Sequence, residues 1–473
     1  MVCIRKRSYL CANDIVNCTP YGNDIASNQN YRQLNKKETF ATRLGGVMAA
    51  VGAAVGLGNI WRFPCETGEH GGAAFLLIYL ICVIGFGTPL MLAELSLGRM
   101  TRSNPAQAFH LLFPQRRWIG RTMGLLCSTT VLMVLGFYGV VAGWTLKYTT
   151  LALVGNSAQQ DFGAFIGSTW EPMGWLTLLI ALNAVILLAG VRKGIERASR
   201  LLMPLLGVLM VVLLIRSLTL PGAMEGLKFL FEPDFSKITG QVVISAMGQS
   251  FFSISMGAGC LLVYGSYLPD DTPMMRMSLT VTLLDTLVAI MAGIIIFPAC
   301  FSYGIAPSAG PGLAFITLPQ IFVQMPLGYV WALVFFLLLA VAALTSSISM
   351  FEVPIATLSE QLGISRRRAV VYASLIAEVL AVGCCLSFSS DLGEALTWGG
   401  KSLFDWFDYI TATLLLPIGG IVISLCVGWV VKEQDLRDLL HVDSPVKEVL
   451  FKVCLWIIRI VAPVCIPLCI VFQ

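Results

Sequence analysis

The chain has 473 residues, 57% of them hydrophobic and 12% charged, with a mean hydropathy of +0.80. A soluble domain carries about 25% charged residues, so this composition belongs to an integral membrane protein; the net charge of +4, spread among apolar runs, points to basic loops and not to a nucleic-acid partner. Three histidines (His70, His110, His441) and 14 scattered cysteines offer no His/Cys cluster with zinc spacing and no disulfide framework, which leaves a metalloenzyme reading little to stand on.

Residues 1–40 are polar, contain Cys3, Cys11 and Cys18, and lack a hydrophobic core of signal-peptide length. They are expected to be a cytoplasmic tail, or the product of a start codon assigned too early. Residues 41–473 form the transmembrane domain. Hydropathy predicts eleven spans, near 43–67, 72–98, 124–152, 174–190, 200–220, 240–266, 277–303, 327–358, 368–388, 401–430 and 450–472. Between the seventh and eighth, PSAGPGLAFITLPQIF reads as a structured external loop with a helix too short to span. With the N-terminus inside, 24 basic residues fall on cytoplasmic connections and 6 on the opposite side, with Arg459 left inside the last span. The positive-inside rule therefore predicts a cytoplasmic N-terminus and, with an odd span count, an extracytoplasmic C-terminus.

Span 1 carries GAAVGLGNIWRFP (52–64) and span 6 carries QSFFSISMGAGC (249–260). Glycine weakens a helix, and Asn59 and Arg62 are costly at membrane depth unless they serve a site. Glycines that only allow close helix packing would leave these two polar residues unexplained. Both spans are predicted to be broken helices. They lie five spans apart, so spans 1–5 (about 43–220) and spans 6–10 (about 240–430) are predicted to be inverted repeats with a binding site at their interface. The N-terminal end of a half-helix suits a carboxylate, and the C-terminal end suits an ammonium or a cation. A zwitterionic amino acid fits such a pair of ends.

The chain resembles bacterial neurotransmitter:sodium symporters, which have the LeuT-type fold. The resemblance begins near Thr39 and rests on RLGGVMAAVGAAVGLGNIWRFP, GGAAFLLIYL, PLMLAELSLGR, GFYGVVAGWTL, GQSFFSISMGAG and ALTSSIS in that order. It implies an all-α protein of about eleven transmembrane helices in the inner (plasma) membrane, sodium as coupling ion with no organic cofactor, and an amino acid as substrate. Carried over residue by residue, it implies one sodium site at Ala54, Asn59, Ser253 and Asp285, and a second at Gly52, Val55, Ala342, Thr345 and Ser346. It places the substrate carboxylate at the amides of Gly56 and Leu57, beside Gly58 and the Tyr138 hydroxyl. The amine goes to the carbonyls of Ala54, Phe252 and Ser255, and the side-chain pocket comprises Val134, Tyr138, Val141, Phe252, Ala258, Ser346 and Met350. It implies an external gate of Arg62 with Asp408, with Asp405 as the alternative, under an aromatic lid of Phe252 and Tyr138. Arg43 and Glu360 are expected in the cytoplasmic closing network, with Lys37 and Phe40 nearby, and Glu94 is expected to support span 1.

Two departures from relatives shape the expected activity. Chloride-dependent relatives use a Ser where Ala289 stands, whereas Asp285 places a fixed carboxylate one turn earlier; this implies chloride-independent transport, with a proton able to return on Asp285. A structural Asp bonded to a neighbouring helix is the plainer reading. Some relatives that take small amino acids carry a Phe where Ala258 stands, which implies room for a larger substrate such as tryptophan, tyrosine, phenylalanine or leucine, unless Met350 refills the space. The rival from another class is an amino-acid sensor on a transporter scaffold. It would have no need of two ion sites. A channel would need a continuous polar pore, and a membrane enzyme a nucleophile–base pair, neither of which the sequence offers.

Overall fold

The computed structural model describes residues 38–305 and 312–472, so nearly all of the expected tail (1–40), Lys37 included, and the PSAGP part of the external loop lie outside the described residues. Among the described residues nine helices are long and apolar enough to cross a bilayer: Ala73–Thr101, Arg117–Leu153, Trp170–Leu188, Val191–Leu218, Met274–Ser302, Gly328–Leu362, Arg366–Leu386, Leu403–Val430 and Pro445–Leu468. A tenth candidate is a bent pair, Arg43–Ala54 and Gly58–Glu69, with 49° between its halves. The segment predicted as span 6 is two shorter helices, Gly240–Ser253 and Cys260–Tyr267, separated by six residues. The loop helix Leu313–Gln324 is too short to span.

The helices form because apolar residues surround them on all sides and, in lipid, every backbone polar group must bond within the segment. Spans 3 and 8 (Arg117–Leu153 and Gly328–Leu362) are 37 and 35 residues long. At 1.5 Å per residue each exceeds the ~30 Å hydrocarbon core, so they run past it and pack along one another as the central pair. Small residues let neighbours close in: a Cβ on Gly143 would stand 3.0 Å from the Leu176 backbone, and one on Gly139 would stand 3.2 Å from the Leu176 side chain. Among the described residues the only strands are Thr397–Trp398 and Lys401–Ser402, a two-residue hairpin. Its turn, Gly399–Gly400, has φ of 60° and 78°, a conformation that favours glycine.

Residues 38–40, at the boundary drawn between tail and membrane domain, pack against the body. Phe40 is buried edge-on against Tyr264 and Tyr267, and its amide donates to the Tyr267 carbonyl at 2.8 Å. Glu38 accepts from the Val191 amide at 2.8 Å. Glu196 anchors the start of span 1 by accepting from the Ala41 amide (2.6 Å) and the Thr42 hydroxyl (2.8 Å).

Candidate functional site

The first half of span 1 ends at Ala54 because Val55 turns extended (φ −69°, ψ 117°) while still donating to Val51. The second half begins at Gly58 with a wide turn of the π type, a geometry frequent at functional sites. Two amides freed by the break find side-chain acceptors. Gly56 N–H donates to Asn59 Oδ1 at 3.0 Å, and Leu57 N–H donates to the Tyr138 hydroxyl at 3.3 Å. The break in span 6 covers Ile254–Gly259 and contains three residues of positive φ: Ser255 (52°), Gly257 (80°) and Gly259 (82°).

The two breaks meet through Asn59, which is fully buried. Its amide donates to Ser253 Oγ (2.9 Å), Asp285 Oδ1 (2.7 Å) and the Asp285 carbonyl (3.1 Å). Ser253 donates to Asp285 Oδ2 at 2.8 Å and accepts from the Tyr79 hydroxyl at 3.3 Å. Two amide hydrogens thus face three oxygens, a local surplus of acceptors. Asp285 is itself fully buried, and its hydrogen-bond partners, Asn59 and Ser253, are neutral. A buried carboxylate with neutral partners is costly unless a cation joins it, so the arrangement is suited to a hard monovalent cation.

One cavity opens beside this cluster. It is lined by Ala54, Gly56, Gly58, Val131, Val134, Tyr138, Phe252, Ser253, Ser255, Ala258, Cys260, Ser346, Met350 and Leu416. Eleven of these were expected from the sequence. Val141 is buried but does not line the cavity, and Leu57 contributes its amide to Tyr138 instead. Val131, Cys260 and Leu416 were missed, as were Tyr79 and Gln249, whose amide donates to the Gly58 carbonyl at 3.0 Å. Gln249 stands inside the quoted span 6 motif, four residues before Ser253, and that helical spacing was the available signal.

Glycine at 56 and 58 provides space and not a special φ: a Cβ at Gly56 would lie 3.1 Å from Ser346 Oγ and Tyr138 Oη, and one at Gly58 would lie 3.1 Å from the Phe252 ring. Gly52 backs on Thr345 Cβ at 3.3 Å in the same sense, so span 8 meets the first half of span 1 where the second cation set was expected. Thr345 Oγ1 donates to the Ala342 carbonyl at 3.0 Å.

Arg62 lies 3.3 Å from Asp408 Oδ1 and stacks over the Phe252 ring at 4.4 Å, closing one side of the cavity. Asp405 is occupied in a reciprocal cap with Ser402, which distinguishes the two aspartates. At the other end, Arg43 and Glu360, the two residues expected in the closing network, have different partners. Arg43 binds Asp271, while Glu360 Oε2 accepts from Asn104 N–H (2.9 Å) and Nδ2 (2.7 Å). The Leu268–Asp271 loop gathers Arg99 and Arg102 onto Asp270 as well. The pair Asp270–Asp271, amid basic connections, was the overlooked signal. The Arg43 guanidinium holds the Asp271 carboxyl below the usual carboxylate range. Glu352 is bound by Arg366 at 2.7 and 2.8 Å and by Tyr267 at 2.6 Å.

Glu94 also departs from expectation. It serves span 6 and not span 1, accepting from Gly257 N–H at 3.2 Å and Leu262 N–H at 3.4 Å. The reason is local: the helix restarting at Cys260 has unpaired amides and the positive end of its dipole, both of which attract a carboxylate.

Paired broken helices around a buried, oxygen-rich pocket define a multi-pass membrane transporter. The profile of the Sodium:neurotransmitter symporter family matches residues 37–161 and 166–473, and the chain belongs to that family. It is similar to the sodium-dependent transporter YhdH of Bacillus subtilis (strain 168), with 34% identity over 438 residues, 91% of this chain and 96% of the relative. A sodium-dependent transporter of Haemophilus influenzae is 35% identical over 420 residues, 85% of this chain and 92% of the relative. Among solved structures, MhsT in complex with L-phenylalanine superposes with a TM-score of 0.85 at 41% identity, covering 92% of this chain and 99% of that one. The chain is a sodium-dependent transporter with a LeuT-type fold, not an enzyme.

Proposed function

We propose that this protein couples the entry of sodium to the uptake of a large apolar or aromatic amino acid, by alternating access and without chloride. The observation that carries this reading is the fully buried Asp285 with neutral partners, set between the two breaks. A sodium ion there would take the Ala54 carbonyl, Asn59 Oδ1, Ser253 Oγ and Asp285, and a second would take the carbonyls of Gly52, Val55 and Ala342 with Thr345 and Ser346. The substrate carboxylate would replace the Tyr138 hydroxyl as acceptor for the Leu57 amide, and its side chain would lie toward Val134, Ala258 and Met350. The carboxylate of Asp285 supplies next to the cation the negative charge that an anion supplies in chloride-dependent relatives. L-phenylalanine bound to a neighbour at 41% identity supports the substrate class, and Ala258 leaves a methyl where a ring would narrow the pocket.

The N-terminus would face the cytoplasm, which places Arg62–Asp408 on the external side and Arg43–Asp271 on the internal side. Each sodium moving inward across 100 mV contributes about 2.3 kcal/mol. Uptake of radiolabelled amino acids into proteoliposomes tests the proposal. Accumulation of phenylalanine, tryptophan, tyrosine or leucine under an inward sodium gradient, unchanged when gluconate replaces chloride, is expected. Binding without accumulation under any gradient would make the protein a sensor. Preference for glycine or alanine would overturn the substrate class.

A further inference from the structure

Beyond the Arg62–Asp408 pair, the second half of span 1 ends in a cluster that lies outside the central cavity. We propose that Glu66, Glu69 and His70 form a binding site for a divalent transition-metal ion of the zinc type. One carboxylate oxygen from each glutamate and a ring nitrogen of His70 all lie within 4.8 Å of one another. The spacing i, i+3, i+4 puts the three on one face of the helical turn. Imidazole with carboxylates is a nitrogen–oxygen set that zinc accepts, at 2.0–2.2 Å per ligand, with water completing the tetrahedron.

The histidine is already oriented. Its ring stacks on Phe75 at a centroid distance of 5.8 Å, and Nδ1 stands 2.9 Å from the Glu66 carbonyl. Nδ1 also lies 3.4 Å from Glu66 Oε2; its donation to the carbonyl leaves the lone pair on Nε2 for a metal, the arrangement by which a neighbouring oxygen fixes a metal-binding tautomer. The cluster also closes the C-terminal end of its helix, where the dipole favours a cation. Glu66 is not idle: it accepts from Ser245 Oγ at 2.5 Å and lies 3.8 Å from Arg62 Nε. A bound metal would draw this carboxylate away from both. It would loosen the tie between the second half of span 1 and the first half of span 6 and leave Arg62 with Asp408 as its acidic partner, so that occupancy slows transport.

The test uses the full-length protein in detergent, with the affinity tag removed, titrated with Co²⁺ followed by its visible absorption and with Zn²⁺ by calorimetry. One site per chain is expected. It should weaken at least about tenfold in His70→Gln and in Glu69→Gln, as loss of a ligand costs no less than loss of its support. It should persist in His110→Gln and His441→Gln. Zinc should slow sodium-driven uptake by the unsubstituted protein and not by His70→Gln. Should His70→Gln fold poorly, Glu69→Gln, at an exposed position, gives the same readout. Absence of binding at 100 µM metal on the order of a weak site, or binding unaffected by both substitutions, would overturn the proposal, whatever the transported substrate is.

Discussion

The two helix breaks achieve the same end by different means. In span 1 three residues leave the helix, none has a positive φ, and the freed amides are met by Asn59 of the same span and by Tyr138. In span 6 six residues leave, three have positive φ, and a carboxylate from span 2, Glu94, takes up two amides. The first break is held partly by its own sequence, through Asn59, and partly by the Tyr138 hydroxyl 81 residues away; the second depends on a carboxylate 163 residues away. Glycine accordingly has a different task in each. At 56 and 58 it makes room for Tyr138, Ser346 and Phe252, whereas at 257 it permits both a left-handed conformation and a backbone approach to Leu416 and Gly420.

The sharpest test of this contrast is a pair of alanines. Gly257→Ala incurs about 1–2 kcal/mol for the left-handed conformation and also collides with the Leu416–Gly420 backbone. It should abolish folded protein, read as loss of the monodisperse peak in detergent. Gly56→Ala meets only side chains that can shift, so it should fold with a near-native melting temperature and lose uptake by at least tenfold. Matching outcomes would mean that the breaks do not differ as described.

The two buried carboxylates sharpen the same distinction. Asp285→Asn removes a proposed ion ligand. Its half-maximal sodium concentration should rise at least tenfold, about 1.4 kcal/mol, with little change in melting. Glu94→Gln disturbs two bonds to amides, each worth about 0.5–1.5 kcal/mol. It should lower the melting temperature while leaving the sodium dependence of the remaining uptake close to native. Exchange of these two phenotypes would reverse the roles.

A smaller effect is expected at the Arg62 closure. Arg62→Lys keeps the charge and loses the planar stacking over Phe252, and uptake should fall severalfold. Asp405→Asn, in a helix cap, should cost less than about 1 kcal/mol and leave uptake unaltered. The smallest effect belongs to Arg43–Asp271 at the opposite end. Because Asp271 has a depressed carboxyl value in the folded protein, its contribution is fully present above the unfolded value near 3.9. It is lost as pH falls through the lower folded value. At pH 7 Asp271→Asn should therefore remove that contribution, whereas near pH 3 the two proteins should converge in melting temperature. A difference that grew on acidification would contradict the sign.

Much of the site was legible because its chemistry is out of place in lipid. Asn59, Arg62 and Asp285 stand inside apolar spans, and glycines cluster where helix should continue. What was not legible involved pairings with no local spacing. Glu94 lies 163 and 168 residues from the amides it binds, and Arg43 lies 228 residues from Asp271. Asp405 and Asp408 sit on the same helix with the same charge. Only the reciprocal cap with Ser402 shows that Asp405 is already engaged.

By itself the sequence determined the membrane class, the approximate spans, the positions of both breaks and the residue types around the pocket. Hydrophobic length, the helix-breaking effect of glycine and the cost of polar groups in hydrocarbon all act on neighbours along the chain. Only the tertiary structure decided which carboxylate sustains which break, which aspartate meets Arg62 and which acid Arg43 binds. Those outcomes depend on how helices far apart in the chain approach one another, and on which polar group first satisfies a buried partner.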